Sequence, residues 1–278
     1  MGTCKSPEPD ASGLGDPNGS DLDADRCAVL LDLDLRSRQL QPTHRTLPAV
    51  RTAAPTGQGP SFALPDGSDV PIDAAAALAN RTSGSCFGSL GGFPAPDVDL
   101  VSIAAPLRHA LYPHPSDLVT PGERPPVNCY FAAPAVSGLP DAFYRWCPDE
   151  GLLHTQAVGG AYKRLDECYQ LTFGIPMWTF SPRHQSANLM FYLAVDRLRA
   201  ERVFGDRAYR VLHQEAGIVA QRLCTLAAAS GLAARIHNGY PAAAVGAVLG
   251  LPAGVEPVIQ ILVGRSRPSR RYQMEVTP

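Results

Sequence analysis

The stretch RAYRVLHQEAGIVAQRL, residues Arg207–Leu223, carries the clearest structural pattern in this chain of 278 residues. From Val211 to Ala227, apolar residues recur at spacings of three and four, which is the period of one face of an α-helix. Gly231 stands where a glycine commonly follows the end of a helix. The sequence therefore predicts one long helix over Arg207–Ser230 with a buried face.

The segments on either side of this helix show both strand-like and helix-like patterns. We predict helices over Ile72–Asn80, Asn188–Arg202 and Pro241–Leu249, and strands over Asn128–Val136, Ala142–Gln156 with a hairpin turn at Pro148–Gly151, and Val258–Val263. A long buried helix combined with several strands favours the α+β class over a β-sandwich or a helix bundle.

The N-terminal quarter of the chain differs in composition from the rest. Residues 1–26 are rich in Pro, Gly, Ser and Asp, which predicts a disordered leader. Cys27–Leu35 alternates leucine with aspartate and predicts a strand, within an N-terminal arm and linker over residues 27–70. We place the compact domain at residues 71–278.

Composition excludes several classes of function. The net charge is −2, so we expect no nucleic-acid partner and no attraction to anionic membranes. The seven cysteines include no Cys-x-x-Cys pair and no zinc-finger spacing, so we expect no metal site. There is no secretory signal pattern and no apolar stretch long enough for a membrane span, which predicts a cytoplasmic protein.

From about residue 66 to residue 267, several motifs follow one family's order. They are Arg207–Leu223, the segment GLPDAFYRW at Gly138–Trp146, the loop IHNGY at Ile236–Tyr240, and LGL at Leu249–Leu251. Together they resemble the SagB-type azoline (thiazoline/oxazoline) dehydrogenases, a branch of the FMN-dependent nitroreductase superfamily. The resemblance implies a nitroreductase-like α+β fold with a mixed or antiparallel central sheet flanked by helices. It also implies a homodimer that holds FMN between its subunits.

The same resemblance implies which positions hold the flavin. These are Arg81, Thr82 and Ser83 after the first helix, Thr120 and Gly122, Arg207, the loop His237–Asn238–Gly239, and Arg265 with Arg267 after the last strand. Guanidinium and hydroxyl donors suit a phosphate, and a glycine suits close backbone approach to a ring. Two alternatives stay open: Ala110–Pro113 resembles the Thr120–Gly122 motif equally well, and Arg207 could serve only the helix.

One departure from the family pattern concerns the catalytic base. Azoline dehydrogenases usually carry a Lys-Tyr pair before the long helix, whereas this chain has Val203-Phe204, which hold no transferable proton. Candidate replacements are His213, Tyr209 and His184. Asp206 could also act, although as a residue just before the helix we expect it to cap that helix.

Three hypotheses for function follow. The first is an FMN-dependent dehydrogenase or oxidase that acts on a peptide-derived or carrier-bound intermediate in natural-product biosynthesis, by azoline-to-azole oxidation. It would work with a peptide substrate and a pathway partner enzyme. The second is a nitroreductase-like scaffold that has lost redox chemistry and has a binding or non-redox role. The third is a general nitro or quinone reductase.

Overall fold

The computed structural model describes residues 59–65, 73–81, 98–113, 125–180, 184 and 186–265. All structural statements below concern these residues. The predicted leader over residues 1–26 and the predicted strand Cys27–Leu35 lie outside them.

A single large sheet is the centre of the described fold. The strands are β1 (Ser61–Ala63), β2 (Val98–Asp99), β3 (Val127–Ala133), β4 (Val136–Ser137), β5 (Ala142–Cys147), β6 (Leu152–Val158), β7 (Leu189–Asp196), β8 (Ala233–His237) and β9 (Val255–Gly264). Seven of them form a sheet in the order β1-β6-β5-β3-β7-β9-β8, and every pairing in it is antiparallel. Strands β2 and β4 pair separately and in parallel.

Helices cover both faces of this sheet. They are α1 (Ala74–Asn80), α2 (Leu100–Ala110), α3 (Ala161–Phe173), α4 (Met177–Phe180), α5 (Arg197–Phe204), α6 (Ala208–Ala229) and α7 (Ala242–Val248). Helices α2 and α6 share one hydrophobic core with the sheet, while α3, α4 and α7 build a second core on the opposite face. The sheet thus separates two sides of the molecule, and each candidate residue belongs to one of them.

Strand β7 corrects the helix that the sequence predicts over Asn188–Arg202. The first part of that range, Leu189–Asp196, is a central strand, and only the second part enters the helix α5. Its successive residues Phe191 and Tyr192 point to opposite cores. Because both faces of this strand are buried, nearly every residue along it is apolar. Periodicity does not distinguish such a strand from a buried helix, which is why the prediction was wrong.

Helix α6 confirms the prediction over Arg207–Ser230. Gly231, at φ +72°, follows its end, and the amide of Leu232 donates to the carbonyl of Ala227 at 2.8 Å. This pattern satisfies carbonyls that a helix end leaves unpaired. The start differs from expectation, because Arg207 occupies the N-cap position without a side-chain capping bond and Asp206 lies in the preceding 3₁₀ turn.

The remaining predicted elements are largely confirmed. Helix α1 begins after Asp73, whose carboxylate accepts from the amides of Ala75 and Ala76, as an N-cap residue does. The hairpin of β5 and β6 and the last strand β9 lie where the patterns place them. The predicted strand Asn128–Val136 ends at Ala133, because a turn separates β3 from β4. Helices α2, α3 and α4 and strands β1, β2 and β8 were not predicted.

Candidate functional site

Five of the predicted cofactor-binding residues lie outside the described part of the chain: Thr82, Ser83, Thr120, Gly122 and Arg267. The structure places the other candidates in three groups. The first group is Arg81 and Arg265, which lie beyond the C-terminal ends of α1 and β9. The second lies at the start of α6, and the third lies on the opposite face of the sheet.

Arg81 and Arg265 both lie towards the C-terminal end of α6. Arg81 ends α1, which packs on α6, and its charge acts on the Cys224 thiol of α6. Burial raises the pKa of that thiol to about 11, and Arg81 opposes the rise. Arg265 follows Gly264, which pairs with Ala233 just beyond the end of α6. Both arginines are exposed, so two positive charges face solvent at this end of the fold.

Asp99 is the acidic neighbour of Arg265. Its carboxylate caps α2 by accepting from the amide of Ser102 at 2.7 Å and from the Ser102 hydroxyl at 2.6 Å. These bonds lower the pKa of Asp99, and the charge of Arg265 lowers it further. The carboxylate therefore stays ionised. Its hydrogen bonds go to Ser102 at the start of α2, and its charge also interacts with Arg265.

The 3₁₀ turn Gly205–Arg207 carries the next candidate. The Nε atom of Arg207 is buried and has no hydrogen-bond partner among the described residues. A buried donor left without a partner is costly, so Arg207 Nε favours an acceptor from outside the described residues, such as a bound ligand. Val203 and Phe204, just before this turn, pack against the α2–α6 core and offer no proton.

Tyr209 and His213 form a pair on the outer side of α6. Their ring centroids are 4.0 Å apart, and Tyr209 is 66% exposed. His213 Nδ1 lies 2.8 Å from the carbonyl oxygen of Tyr209. A carbonyl can only accept, so Nδ1 carries the proton and the neutral ring keeps its lone pair on Nε2. The pair has the form of a proton acceptor beside an exposed phenol.

His184 lies on the other face of the sheet, so the structure separates it from His213 and Tyr209. It is fully buried, and its Nε2 atom lies 3.0 Å from the Tyr169 hydroxyl and 2.9 Å from Oε1 of Gln260. Gln260 in turn donates through Nε2 to the Tyr192 hydroxyl at 2.8 Å. Because Oε1 can only accept, His184 Nε2 carries a proton. We call Tyr169, His184, Tyr192 and Gln260 the buried polar network.

The predicted loop at the end of β8 contacts this network. His237 is the last residue of β8, and its ring meets that of His184 edge to face at a centroid distance of 4.7 Å. The Tyr169 hydroxyl donates to the carbonyl of Gly239 at 3.3 Å. Asn238, between them, is exposed. The structure thus brings His184, His237 and Gly239 together.

Burial keeps the tyrosines of the network neutral. It raises the pKa of Tyr169 and, more strongly, that of Tyr192, above the ordinary value for a phenol. Both hydroxyls therefore remain able to donate at any physiological pH. A neutral, bonded network of this kind holds the backbone of the His237–Gly239 loop in one position.

Sequence reasoning missed Tyr169, Tyr192 and Gln260. One signal was available: Gln260 is a polar residue inside the apolar run Val258–Val263, and a buried polar side chain requires partners. The partners come from α3 and β7, which are remote in sequence, so the pattern alone does not identify them.

Comparison with protein families gives one match. The model described as the Nitroreductase family matches residues 153–265, which include α3 to α7 and the strands from β7 to β9. A comparison with curated proteins found no match. None of the described helices is long and apolar enough to cross a membrane.

Comparison with solved structures gives matches with low sequence identity. A candidate nitroreductase from Anabaena variabilis superposes with a TM-score of 0.58 at 19% identity, covering 78% of this chain and 45% of that one. The chain therefore spans less than half of that structure's length. A candidate nitroreductase from Ralstonia eutropha gives 0.52 at 17% identity, covering 80% of this chain and 98% of that one.

A third match is a chain of the E. coli microcin synthetase McbBCD complex with truncated pro-MccB17 bound. It gives a TM-score of 0.51 at 16% identity, covering 88% of this chain and 94% of that chain. With an antiparallel central sheet, helices on both of its faces and these superpositions, the chain has the nitroreductase-like α+β fold.

Proposed function

We propose that this chain is an FMN-dependent oxidoreductase that oxidises an azoline-type ring in a peptide-derived or carrier-bound intermediate. The observation that carries the proposal is the nitroreductase-like fold, in which Arg81, Arg265 and the His237–Gly239 loop follow α1, β9 and β8. These are the positions at which the family resemblance expects flavin contacts. When bound, FMN supplies a hydride acceptor that no amino-acid side chain provides.

The described residues fit the phosphate of FMN. Arg81 and Arg265 are exposed cations near the C-terminal end of α6, and a phosphate with nearly two negative charges matches guanidinium donors. The buried Nε of Arg207 is a further donor without an acceptor among the described residues. Thr82, Ser83 and Arg267, which adjoin Arg81 and Arg265 in sequence, would add donors to the same group.

The His237–Gly239 loop fits the flavin ring. Gly239 has no side chain to obstruct a planar ring, and Tyr169 holds its carbonyl oxygen. The buried polar network contacts the loop through the Tyr169–Gly239 hydrogen bond and the His184–His237 ring contact. Tyr169 and His184 would therefore act as positioning residues. A preformed loop reduces the entropy that binding must overcome.

Proton removal from the substrate ring would fall to His213. Because the sheet separates His213 from the His237–Gly239 loop of the same chain, this role requires the proposed homodimer to bring α6 of one subunit to the flavin that the other subunit holds. Its Nε2 carries the lone pair in the neutral form, and Tyr209 beside it is exposed. The pair stands on the helix directly after the positions where the family has Lys-Tyr. Histidine is the side chain most often used for this task near neutral pH.

A homodimer and a peptide substrate complete the proposal. In the nitroreductase superfamily, as the resemblance implies, two subunits enclose the flavin. The E. coli microcin synthetase structure contains a bound peptide, which supports a peptide-derived substrate for this chain. A pathway partner enzyme would supply that substrate.

Purified full-length chain tests the proposal through its cofactor. We expect visible flavin absorbance or, after FMN is added, saturable binding, together with the hydrodynamic size of a dimer. Replacing Arg81→Gln or Arg265→Gln should weaken FMN binding by about tenfold each, because each removes one charge-assisted hydrogen bond. Arg202→Gln, at the end of α5, is the matched control and should leave binding unchanged. A colourless monomer that does not bind FMN would remove the proposal.

A second candidate function has its own observation. Val203 and Phe204 pack into the α2–α6 core where the family has its base, which favours a scaffold without redox activity. Such a chain would hold no flavin and would bind a peptide or an enzyme of its pathway. The FMN-binding measurement separates the two candidates.

A further inference from the structure

The turn that joins β5 to β6 brings together three residues of metal-binding type. The amides of Glu150 and Gly151 both donate to the carbonyl of Cys147, at 3.2 Å and 3.0 Å, and Gly151 completes the turn at φ +68°. The turn directs Cys147, Glu150 and His154 to one region. One ligand atom from each of the three lies within 4.8 Å of the other two.

Strand register explains why Cys147 and His154 meet. Cys147 pairs with Leu152 and Arg145 pairs with His154, so Cys147 and His154 are diagonal neighbours on the same face of the hairpin. Diagonal side chains of an antiparallel pair are within reach of each other. The spacing Cys-x-x-Glu-x-x-x-His thus becomes a cluster only because of the hairpin.

His154 is already oriented in the manner of a metal ligand. Its Nδ1 atom lies 3.0 Å from the Ser61 hydroxyl of β1, and its Nε2 atom lies 2.7 Å from Oε2 of Glu150. Because a carboxylate can only accept, Nε2 donates a proton to Glu150 in the metal-free chain. A metal ion would replace that proton at Nε2, and Nδ1 would then donate to the Ser61 hydroxyl. A metal-bound histidine usually donates from its other ring nitrogen to a neighbouring acceptor, which fixes the orientation of the ring.

The donor set selects the ion. A thiolate, an imidazole and a carboxylate together suit Zn²⁺, whose ligand bonds of about 2.0–2.3 Å in a tetrahedron place donor atoms roughly 3.3–3.8 Å apart. The three donor atoms already lie within 4.8 Å of one another, and the 2.7 Å between His154 Nε2 and Glu150 Oε2 would lengthen when an ion enters between them. Three protein ligands leave one position for water.

We propose that Cys147, Glu150 and His154 bind Zn²⁺, with Ser61 orienting the histidine. This site lies on the β1, β6 and β5 side of the sheet, whereas the candidate flavin residues follow β8, β9 and α1. The ion would link the turn to both strands of the β5–β6 hairpin, while β1 contributes only the Ser61–His154 hydrogen bond, and the ion has no part in the redox step. The inference is therefore independent of the proposed function.

Metal titration of the reduced full-length chain tests this site. We expect one equivalent of Zn²⁺ to bind and to raise the melting temperature, because only the folded chain assembles the three ligands. Co²⁺ in place of Zn²⁺ should give the charge-transfer absorption of a thiolate ligand.

Matched variants identify the ligands. Cys147→Ser should abolish the Co²⁺ thiolate absorption, whereas Cys168→Ser, at another buried cysteine, should retain it. Glu150→Gln changes an exposed side chain and should leave the fold intact while weakening Zn²⁺ binding by more than about 10-fold, because loss of a ligand should exceed the smallest effect of losing a residue that only orients a ligand. Glu167→Gln is its control. Ser61→Ala should weaken binding by about 10-fold.

Two results would overturn the proposal. One is Zn²⁺ binding that is equal in the unaltered chain, Cys147→Ser and Glu150→Gln, which would mean adventitious binding elsewhere. The other is a stable chain that binds no Zn²⁺, in which case the cluster is only a Glu150–His154 ion pair beside a buried thiol.

Discussion

His184 and His213 show how the same side chain acquires different roles from its surroundings. His184 is enclosed in the second core and shares its Nε2 proton with Tyr169 and Gln260. His213 stands on the outer side of α6, with Nδ1 bonded to the Tyr209 carbonyl and its lone pair on Nε2. The first is suited to hold a loop in place and the second to accept a proton.

At the residue scale, replacing His213→Gln should lower turnover sharply. A glutamine can occupy the position but cannot accept a proton at Nε2, and loss of a general base costs at least about 10²-fold. Turnover of a synthetic thiazoline-containing peptide by the FMN-loaded chain measures the effect. FMN binding should be unchanged, and His109→Gln, at the end of α2, should retain full turnover. Full activity of the His213→Gln chain would assign the base elsewhere.

The buried polar network makes a second prediction at this scale. Gln260→Leu keeps the approximate size of the side chain but leaves the His184 Nε2 proton and the Tyr192 hydroxyl each short of one partner. We expect a loss of about 1–3 kcal/mol in the free energy of unfolding, measured with urea. Gln221→Leu, on the outer side of α6, should change that free energy by less than about 0.5 kcal/mol. Equal effects of the two changes would contradict the network.

The junction between β9 and α5 depends on close backbone approach at one glycine. Gly254, at φ +84° before β9, has its carbonyl bonded by the amide of Arg197 at 2.9 Å, which ties β9 to the start of α5. A Cβ at this position would lie 2.5 Å from Cδ1 and 2.7 Å from Cγ of Leu198. The element junction thus requires glycine for its backbone angle and for its space.

Gly254→Ala should therefore lower the free energy of unfolding more than Gly250→Ala does. Both positions have positive φ, and strain from that angle is about 1–3 kcal/mol, but a Cβ at Gly250 meets no atom within 4 Å. The overlap with Leu198 should add about 1 kcal/mol or more to the destabilisation. Urea unfolding of the two variants measures the difference, and equal midpoints would show that Leu198 moves aside at no cost.

The whole molecule buries many neutral acids, and this makes its stability depend on pH. Burial raises the pKa of Cys129 from 9.0 to about 12 and raises that of Tyr192 well above 10.0. The unfolded chain loses these protons first as the pH rises. Each group therefore contributes its full stabilisation when the pH is below its pKa in the unfolded chain. That stabilisation is lost progressively as the pH rises from the pKa in the unfolded chain to the pKa in the folded chain.

We expect the free energy of unfolding to fall from about pH 9 upwards, with each such group contributing up to about 1.4 kcal/mol per pH unit. Tyrosines add to the slope above about pH 10, their ordinary value. Urea unfolding under reducing conditions at several pH values measures the curve. Cys129→Ala should have a shallower slope above pH 9, and an unchanged slope would place the cause elsewhere.

Local patterns in the sequence determined α1, α6, α7, the β5–β6 hairpin and β9, because a helix face, a turn and a capping residue are properties of neighbouring residues. The fold class followed from their combination. The resemblance carried by the order of motifs predicts flavin contacts at Arg81, Arg207, His237–Gly239 and Arg265, and these contacts stay predictions. These helices and strands depend on interactions between residues that are close together in the sequence.

Only the tertiary structure decided the rest. It showed that Leu189–Asp196 is a central strand, since burial on both faces removes the periodicity that separates strand from helix. It put His184 and His213 on opposite faces of the sheet, and it assembled the buried polar network from α3, β7 and β9. The physical reason is that partners distant in sequence meet only after the sheet has formed, and no local pattern records which of them will be neighbours.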